Sequence, residues 1–242
     1  MPPIQPPVTP PVSKPPLFEK TFGDMKVAAT GFSVGQYKSI RFLIDPAFDA
    51  SSVSTDELKM VDYVFLTGFS PRHLSTTVQS VLKKDIKILT TAAGASALRK
   101  DGFTQVKDAE GGRVLLQKDS DYLFVSAFQG GDAAGAMSKG YLLEFDNGKN
   151  LFVAGDVIDE APRRNFLYEM RDDGKEISEG FFYPSGDEAA IAKSIALFQP
   201  KIAVLLPGAI RPVDEPKLRD ALKEELFEGE IYIARPSESI PF

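Results

Sequence analysis

The order of strand-like and helix-like segments limits the folds that this chain can adopt. Segment 61–67, VDYVFLT, is rich in β-branched and aromatic residues and predicts a buried strand. Segment 74–84 follows with apolar residues at helical spacing, and strand–helix pairs recur at 86–100, 181–198 and 202–227. Because hairpin-like strands precede these strand–helix units, the sequence predicts an α/β (α+β) fold of two mixed sheets with helices outside.

Three connecting segments have distinct compositions. Asp146, Asn147 and Gly148 lie between two short apolar runs and predict a hairpin turn. The glycine-rich segment 130–140, GGDAAGAMSKG, lacks the spacing of a P-loop and predicts a flexible loop. Segment 163–180 is dense in charge and predicts a solvated loop with irregular helix.

The chain of 242 residues contains no cysteine and a single histidine, His73. It therefore cannot form disulfides, iron–sulfur clusters or zinc ribbons, and a catalytic triad would have to include His73.

With 28 Lys and Arg against 34 Asp and Glu, the formal net charge is −6, which disfavours nucleic acid as the main ligand. Because the sequence has no apolar run of about 18 residues and no signal-peptide pattern, we expect no transmembrane segment and an intracellular protein. The cytoplasm is the expected location, with an organelle interior as the alternative.

The first 17 residues form a proline-rich arm ahead of one domain predicted over 18–242. Proline fixes φ and lacks the N–H donor, so we expect this arm to be extended and to stay outside any helix or sheet interior. We interpret it as a segment that binds a protein partner, with a solubilising tail as the alternative. The expected contacts are its paired prolines: Pro2, Pro3, Pro6, Pro7, Pro10, Pro11, Pro15 and Pro16.

Five segments, taken in order, carry a resemblance to a known family. They are 42–49 (FLIDPAFD), 61–74 (VDYVFLTGFSPRHL), 88–106 (ILTTAAGASALRKDGFTQV), 139–156 (KGYLLEFDNGKNLFVAGD) and 187–207 (DEAAIAKSIALFQPKIAVLLP). Together they resemble the metallo-β-lactamase fold, and in particular its small metal-dependent hydrolases. The resemblance implies a four-layer αββα sandwich with a metal site in the loops that follow the strands.

The ligand residues that this resemblance implies are mostly replaced. Of seven ligand positions, only His73 and Asp156 match. The other five fall at Gly68, Ser70, Arg72, near Phe128-Gln129, and at Gly208. A catalytic zinc needs about three protein ligands and an open water position. Arg72 would also place a permanent cation where the metal should lie. The sequence therefore predicts a site without metal or other cofactor.

Five residues make up the remnant of that site, which we call the vestigial pocket: Asp45, Ser70, Arg72, His73 and Asp156. By the resemblance, Asp45 supports the loop. Arg72 is predicted to pair with Asp156 in place of the metal charge, since a buried carboxylate needs a partner. His73 either binds a ligand there or has a structural role. Ser70 could be a nucleophile only with a nearby base, and no G-x-S-x-G turn surrounds it.

These observations predict a metal-free pseudoenzyme, that is, a protein that is not an enzyme and has no catalytic residues. It would be a structural or binding subunit of a multi-subunit protein assembly and would dock partly through its proline-rich arm. Two alternatives stay open. The vestigial pocket could bind a small molecule or an anion, or the protein could be a hydrolase with a non-standard site.

Overall fold

The computed structural model describes most of the residues of the chain. They are 24–27, 33–47, 55–109, 112–131, 135–155, 160–183, 187–206, 213–234 and 239–241. The proline-rich arm lies outside them, so its docking role and the domain boundary at residue 18 stay predictions.

Two mixed sheets of seven strands each form the centre of the structure. Sheet 1 has the order β14-β1-β2-β3-β4-β5-β6, in which β3 to β6 are parallel. Its strands are β1 (Asp24–Val27), β2 (Ser33–Tyr37), β3 (Ile40–Ile44), β4 (Tyr63–Phe65), β5 (Lys87–Thr90), β6 (Gln105–Asp108) and β14 (Ser239–Pro241).

Sheet 2 has the order β13-β12-β11-β10-β9-β8-β7, in which β10 to β13 are parallel and β7 to β10 are antiparallel. Its strands are β7 (Arg113–Lys118), β8 (Asp121–Gly131), β9 (Met137–Phe145), β10 (Asn150–Val153), β11 (Glu179–Phe182), β12 (Ile202–Leu205) and β13 (Glu230–Ile233). The described helices are α1 (Thr55–Leu58), α2 (Thr76–Val81), α3 (Ala92–Lys100), α4 (Glu160–Asp172), α5 (Glu188–Phe198) and α6 (Glu215–Glu224).

Side-chain alternation along the strands assigns the layers. In β3, Phe42 and Ile44 pack between the sheets, whereas Leu43 packs against the helices that cover sheet 1. In the same way Phe181 points between the sheets, and Phe182 joins the cluster under α4, α5 and α6. One core therefore lies between the sheets and one outside each sheet. The predicted four-layer αββα sandwich is confirmed.

Several local predictions are confirmed by the elements. The hairpin turn at Asp146 joins β9 and β10, and Gly148 adopts the positive φ of 81° that this turn requires. Strand β5 and helix α3 form the strand–helix unit predicted at 86–100, and Thr91 caps the helix by accepting a hydrogen bond from the N–H of Gly94. Asp187 caps α5 in the same way.

The charged segment 163–180 is more regular than the predicted loop with irregular helix, because only residues 173–178 form a loop. Most of its first half belongs to α4, in which Phe166, Leu167 and Met170 recur at helical spacing and are buried against sheet 2. Arg163 is also buried, and its guanidinium lies 5.1 Å from the centre of the Phe198 ring. The apolar stripe is masked in the sequence by the charges of the opposite face.

The glycine-rich segment 130–140 is also more regular than predicted, because β8 continues to Gly131 and β9 begins at Met137. Gly140 lies so close to Phe128 that a Cβ atom there would overlap the ring. Among the described helices, none has the length and apolar character needed to cross a membrane. The cytoplasmic location stays a prediction.

Candidate functional site

The candidate site lies where parallel strands of both sheets end. Strand β3 leads into Asp45, β4 leads into Thr67 and Gly68, and β10 leads into Gly155. Ligands of open α/β sheets bind outside these carboxyl ends, because the loops there present side chains and backbone groups toward one crevice. We call this region the carboxyl edge.

A buried hydrogen-bond network fixes the position of His73. The Asp45 carboxylate accepts a hydrogen bond from the Thr67 N–H at 2.8 Å and another from the Thr67 hydroxyl at 2.5 Å. The Nδ1 atom of His73 lies 3.3 Å from Asp45 Oδ1 and 3.3 Å from Thr67 Oγ1. Since the Thr67 hydroxyl gives its proton to Asp45, both atoms facing Nδ1 are acceptors. The imidazole therefore carries a proton on Nδ1, and Nε2 is the basic nitrogen of the neutral ring.

Gly68 makes room for this arrangement. A Cβ atom on Gly68 would overlap Nε2 and the adjacent carbons of the His73 ring. Gly68 is also the position at which the resemblance places the first metal-binding histidine. The ring of His73 therefore occupies the space that a side chain at position 68 would need.

Strand β9 ties this loop to sheet 2. The carbonyl of Thr67 accepts hydrogen bonds from the Ser138 hydroxyl and from the Lys139 N–H, both at 2.7 Å. The hydroxyl of Tyr141 lies 2.8 Å from the carbonyl oxygen of Leu66 and donates to it. Burial, with added repulsion from nearby carboxylates that include Asp45, raises the pKa of Tyr141 well above its ordinary value. The hydroxyl therefore stays a donor across the accessible pH range.

Lys139 is a fully buried cation at the same edge. Its Nζ atom lies 2.8 Å from Asp108 Oδ1, 2.7 Å from the carbonyl oxygen of Ala109 and 3.0 Å from Gln129 Oε1. Only 1% of its surface is exposed. The ammonium group therefore donates hydrogen bonds to Ala109 and Gln129 and forms an ion pair with Asp108, which offsets the cost of burying it.

The other predicted pocket residues are only partly brought together. Arg72 is exposed, and its N–H donates to Ser70 Oγ at 3.3 Å. The carbonyl of Ser70 accepts the N–H groups of His73 and Leu74, which turns the loop toward α2. Asp156 lies outside the described residues, so the Arg72–Asp156 pair stays a prediction.

The described residues do not fit the metal site that the resemblance implies. Gly68 has no side chain, Arg72 is cationic, and the Asp45 carboxylate is engaged by Thr67 and His73. Within the described ranges, no group of three or more His, Asp or Glu side chains could hold a metal ion. The chemistry available from these ranges is that of a carboxylate–histidine pair and its polar surroundings.

The sequence matches no protein-family model and no curated protein. Solved structures match most of the chain. The isothiocyanate hydrolase from Delia radicum gut bacteria aligns with a TM-score of 0.67 at 16% identity, over 90% of this chain and 99% of that chain. A possible metal-dependent hydrolase from Veillonella parvula aligns with a TM-score of 0.70 at 12% identity, over 92% of this chain and 100% of that chain.

A third structure names the architecture itself. It is the metallo-β-lactamase fold protein YhfI from Bacillus subtilis, with a TM-score of 0.64 at 13% identity, over 91% of this chain and 100% of that chain. This chain has the metallo-β-lactamase fold. The resemblance noted in the sequence is thereby confirmed for the fold. Within the metallo-β-lactamase fold of this chain, the Asp45–His73 pair lies in the loop region that the resemblance assigns to the metal.

The prediction that the protein is not an enzyme is wrong. Solved structures that align with about nine-tenths of this chain are named as hydrolases. The prediction rested only on the metal-ligand positions. Replacement of those ligands does not by itself exclude an enzyme, because the solved structures with this fold include hydrolases. A histidine oriented by a carboxylate can move a proton without any of those ligands.

Sequence reasoning missed Thr67 and Lys139. The alternation along β9 could have revealed Lys139, because it shares a face with Tyr141 and Leu143, which are buried between the sheets. A lysine in that series is a buried lysine that needs acceptors. No comparable signal marks Thr67, whose partner Asp45 is 22 residues away in the sequence.

Proposed function

We propose that the protein is a hydrolase that binds an anionic substrate at the carboxyl edge and uses His73 as the base that activates water. The observation that carries this proposal is the Asp45–Thr67–His73 network. It holds the imidazole in one tautomer and one orientation, which is what a carboxylate partner contributes to a catalytic histidine. The hydrolases among the solved structures with this fold support the reaction class.

In the proposed reaction, Nε2 of His73 takes a proton from a water molecule as the water oxygen attacks the scissile carbon or phosphorus atom. The proton then passes to the leaving group, and the neutral imidazole is restored. Asp45 stabilises the imidazolium that exists between these steps. Arg72 is exposed on the same loop as His73, and its planar guanidinium suits a carboxylate or phosphate group of the substrate.

The test is a hydrolysis screen with anionic phosphodiesters and lactones, performed with and without EDTA. We expect activity that survives EDTA and falls about 10²- to 10⁴-fold in His73→Gln, the usual contribution of a general base. Asp45→Asn should also lower the rate, whereas Thr76→Ala, at an exposed position of α2, serves as the control. Loss of activity in EDTA with full activity in His73→Gln would contradict the proposal, as would the absence of hydrolysis across the screen.

A second candidate function is that of a subunit in a larger protein assembly, which is compatible with catalysis. It is favoured by apolar side chains on the outer face of the hairpin formed by β7 and β8. Leu115 is 51% exposed and Tyr122 is 40% exposed. The proline-rich arm would supply a further contact. Size measurement in native extract tests this function: the full chain should migrate far above 26 kDa, and deletion of residues 1–17 should reduce its incorporation.

A further inference from the structure

A cavity of about 230 Å³ opens at one side of the sandwich, between the edge strand of sheet 1 and the edge strand of sheet 2. These edge strands are β6 and β7. The residues that line it come from β4, β5, β6 and β7, and none of them belongs to the carboxyl edge. Its chemistry is therefore separate from that of the proposed hydrolase site.

Polar side chains face inward at this side of sheet 1. Val106 packs in the cluster outside sheet 1, so its neighbours Gln105 and Lys107 point toward the inner face. Lys87 shares the inner face of β5 with Leu89, which belongs to the core between the sheets. Two lysines thus occupy inner-face positions at the rim of the core.

The opposite wall is apolar. Leu116 and Val114 of β7 project into the core between the sheets, facing Leu89 across the cavity. The cavity therefore combines an aliphatic floor with a cationic rim, a combination that suits an amphipathic anion rather than a fully polar one.

The polar groups of the cavity are preorganised by Tyr63. Its hydroxyl donates to the carbonyl of Gln117 at 2.8 Å and accepts the N–H of Gln117 at 3.0 Å. The Nζ atom of Lys87 lies 3.3 Å from the same hydroxyl and 5.1 Å from the centre of the ring. Among the described residues, neither Lys87 nor Lys107 forms an ion pair with a carboxylate, and no acidic residue lines the cavity.

We propose that this cavity binds a small aliphatic monocarboxylate. Its carboxylate would lie between the Lys87 and Lys107 ammonium groups, and its chain would pack on Leu89 and Leu116. A cavity of about 150 Å³ in another protein holds benzene, so a cavity of about 230 Å³ has room for a ligand of about eight or nine non-hydrogen atoms. Hexanoate has this size. The opposing explanation is that the lysines only protect an edge strand from pairing with another chain.

Isothermal titration calorimetry of the full chain with hexanoate, hexanol, acetate and inorganic phosphate separates these explanations. Hexanoate should bind with a Kd of about 1 mM or lower. Hexanol lacks the charge, acetate lacks the chain, and phosphate lacks both the chain and the shape, so each should bind about tenfold more weakly or not at all. Lys107→Met should weaken hexanoate binding about tenfold, whereas Lys83→Met, which changes an exposed lysine outside the cavity, should leave it unchanged.

Methyl chemical shifts give a second measurement that does not depend on a variant. Hexanoate should shift the methyl signals of Leu89 and Leu116 and leave those of Leu98, a buried residue of α3, in place. Lack of hexanoate binding would overturn the proposal. Equal binding of hexanol or phosphate, or an unchanged Kd in Lys107→Met, would also overturn it and leave edge protection as the role of these lysines.

Discussion

The ring of His73 fills the space that a side chain at Gly68 would need. The single histidine of the chain therefore packs against a residue without a side chain, in the loop that follows β4. The contact also explains why the loop accommodates a buried imidazole beside Asp45 without displacing the strand.

The first prediction is that Gly68→Ala destabilises the protein by about 1–3 kcal/mol, because the added methyl group must displace the His73 ring in a packed environment. Gly68 is not among the glycines with positive φ, so the effect is steric and not a backbone effect. Urea unfolding measures it. If the double variant Gly68→Ala with His73→Ala showed the simple sum of the two single costs, the proposed overlap would be wrong.

The second prediction concerns the hydroxyl of Thr67. Thr67→Val keeps the shape of the side chain but removes a buried donor to Asp45, so the free energy of unfolding should fall by about 1–3 kcal/mol. The free energy of unfolding should fall less in Thr67→Ser, because this variant keeps the hydroxyl. A larger loss in Thr67→Ser than in Thr67→Val would show that the methyl group matters and the hydrogen bond does not.

The third prediction concerns Lys139. Lys139→Met leaves Asp108 and Gln129 without their ammonium partner and should cost about 3–5 kcal/mol, as removal of one member of a buried ion pair does. The double variant Lys139→Met with Asp108→Leu should be more stable than the sum of the single variants implies. Thermal and urea unfolding of the four proteins test this, and strict additivity would argue against the pair.

The fourth prediction is a pH dependence at Glu179. Burial raises the pKa of Glu179 to about 7 from an ordinary value of 4.5, with Lys149 opposing the shift, and Glu179 Oε2 has no hydrogen-bond partner among the described residues. The folded state therefore binds this proton more tightly than the unfolded state does. Its contribution to stability is present below about pH 4.5 and is lost as the pH rises to about 7.

Glu179→Gln removes the loss of stability that ionisation of this carboxyl group causes. The variant should therefore be more stable than the natural chain at pH 8 and have nearly the same stability at pH 4. Glu176 is the matched control, because its exposed carboxylate pairs with Lys201 at 2.7 Å and its pKa is lowered. Glu176→Gln should show no gain at pH 8. A Glu179→Gln variant with the same pH profile of unfolding as the natural chain would contradict the prediction.

Local signals in the sequence account for much of the fold. Strand β4 and helix α3 lie within the predicted segments 61–67 and 86–100, because a compact apolar run defines the strand and the capping residue Thr91 begins the helix. Helix α4 was missed because its buried stripe of Phe166, Leu167 and Met170 is diluted by charged residues. Composition averages over both faces of a helix, whereas packing depends on one.

The candidate site was predicted in part. His73 and Asp45 were both chosen from the sequence, but their contact was not, since β3 and β4 must pair before the two loops meet. The replaced ligand positions led to a wrong conclusion about catalysis. The chemistry of a site depends on which groups meet in space, and the sequence gives their identity without their distances.

The contact between Tyr63 and Gln117 has a consequence for solubility. Both backbone groups of Gln117 are hydrogen-bonded to the Tyr63 hydroxyl, so at this residue the edge strand β7 presents no unpaired N–H or carbonyl to a strand from another molecule. The tyrosine takes the place of a neighbouring strand without extending the sheet. A phenylalanine of nearly the same shape would lack the hydroxyl and would leave the N–H and the carbonyl of Gln117 without this partner at the edge of the sheet.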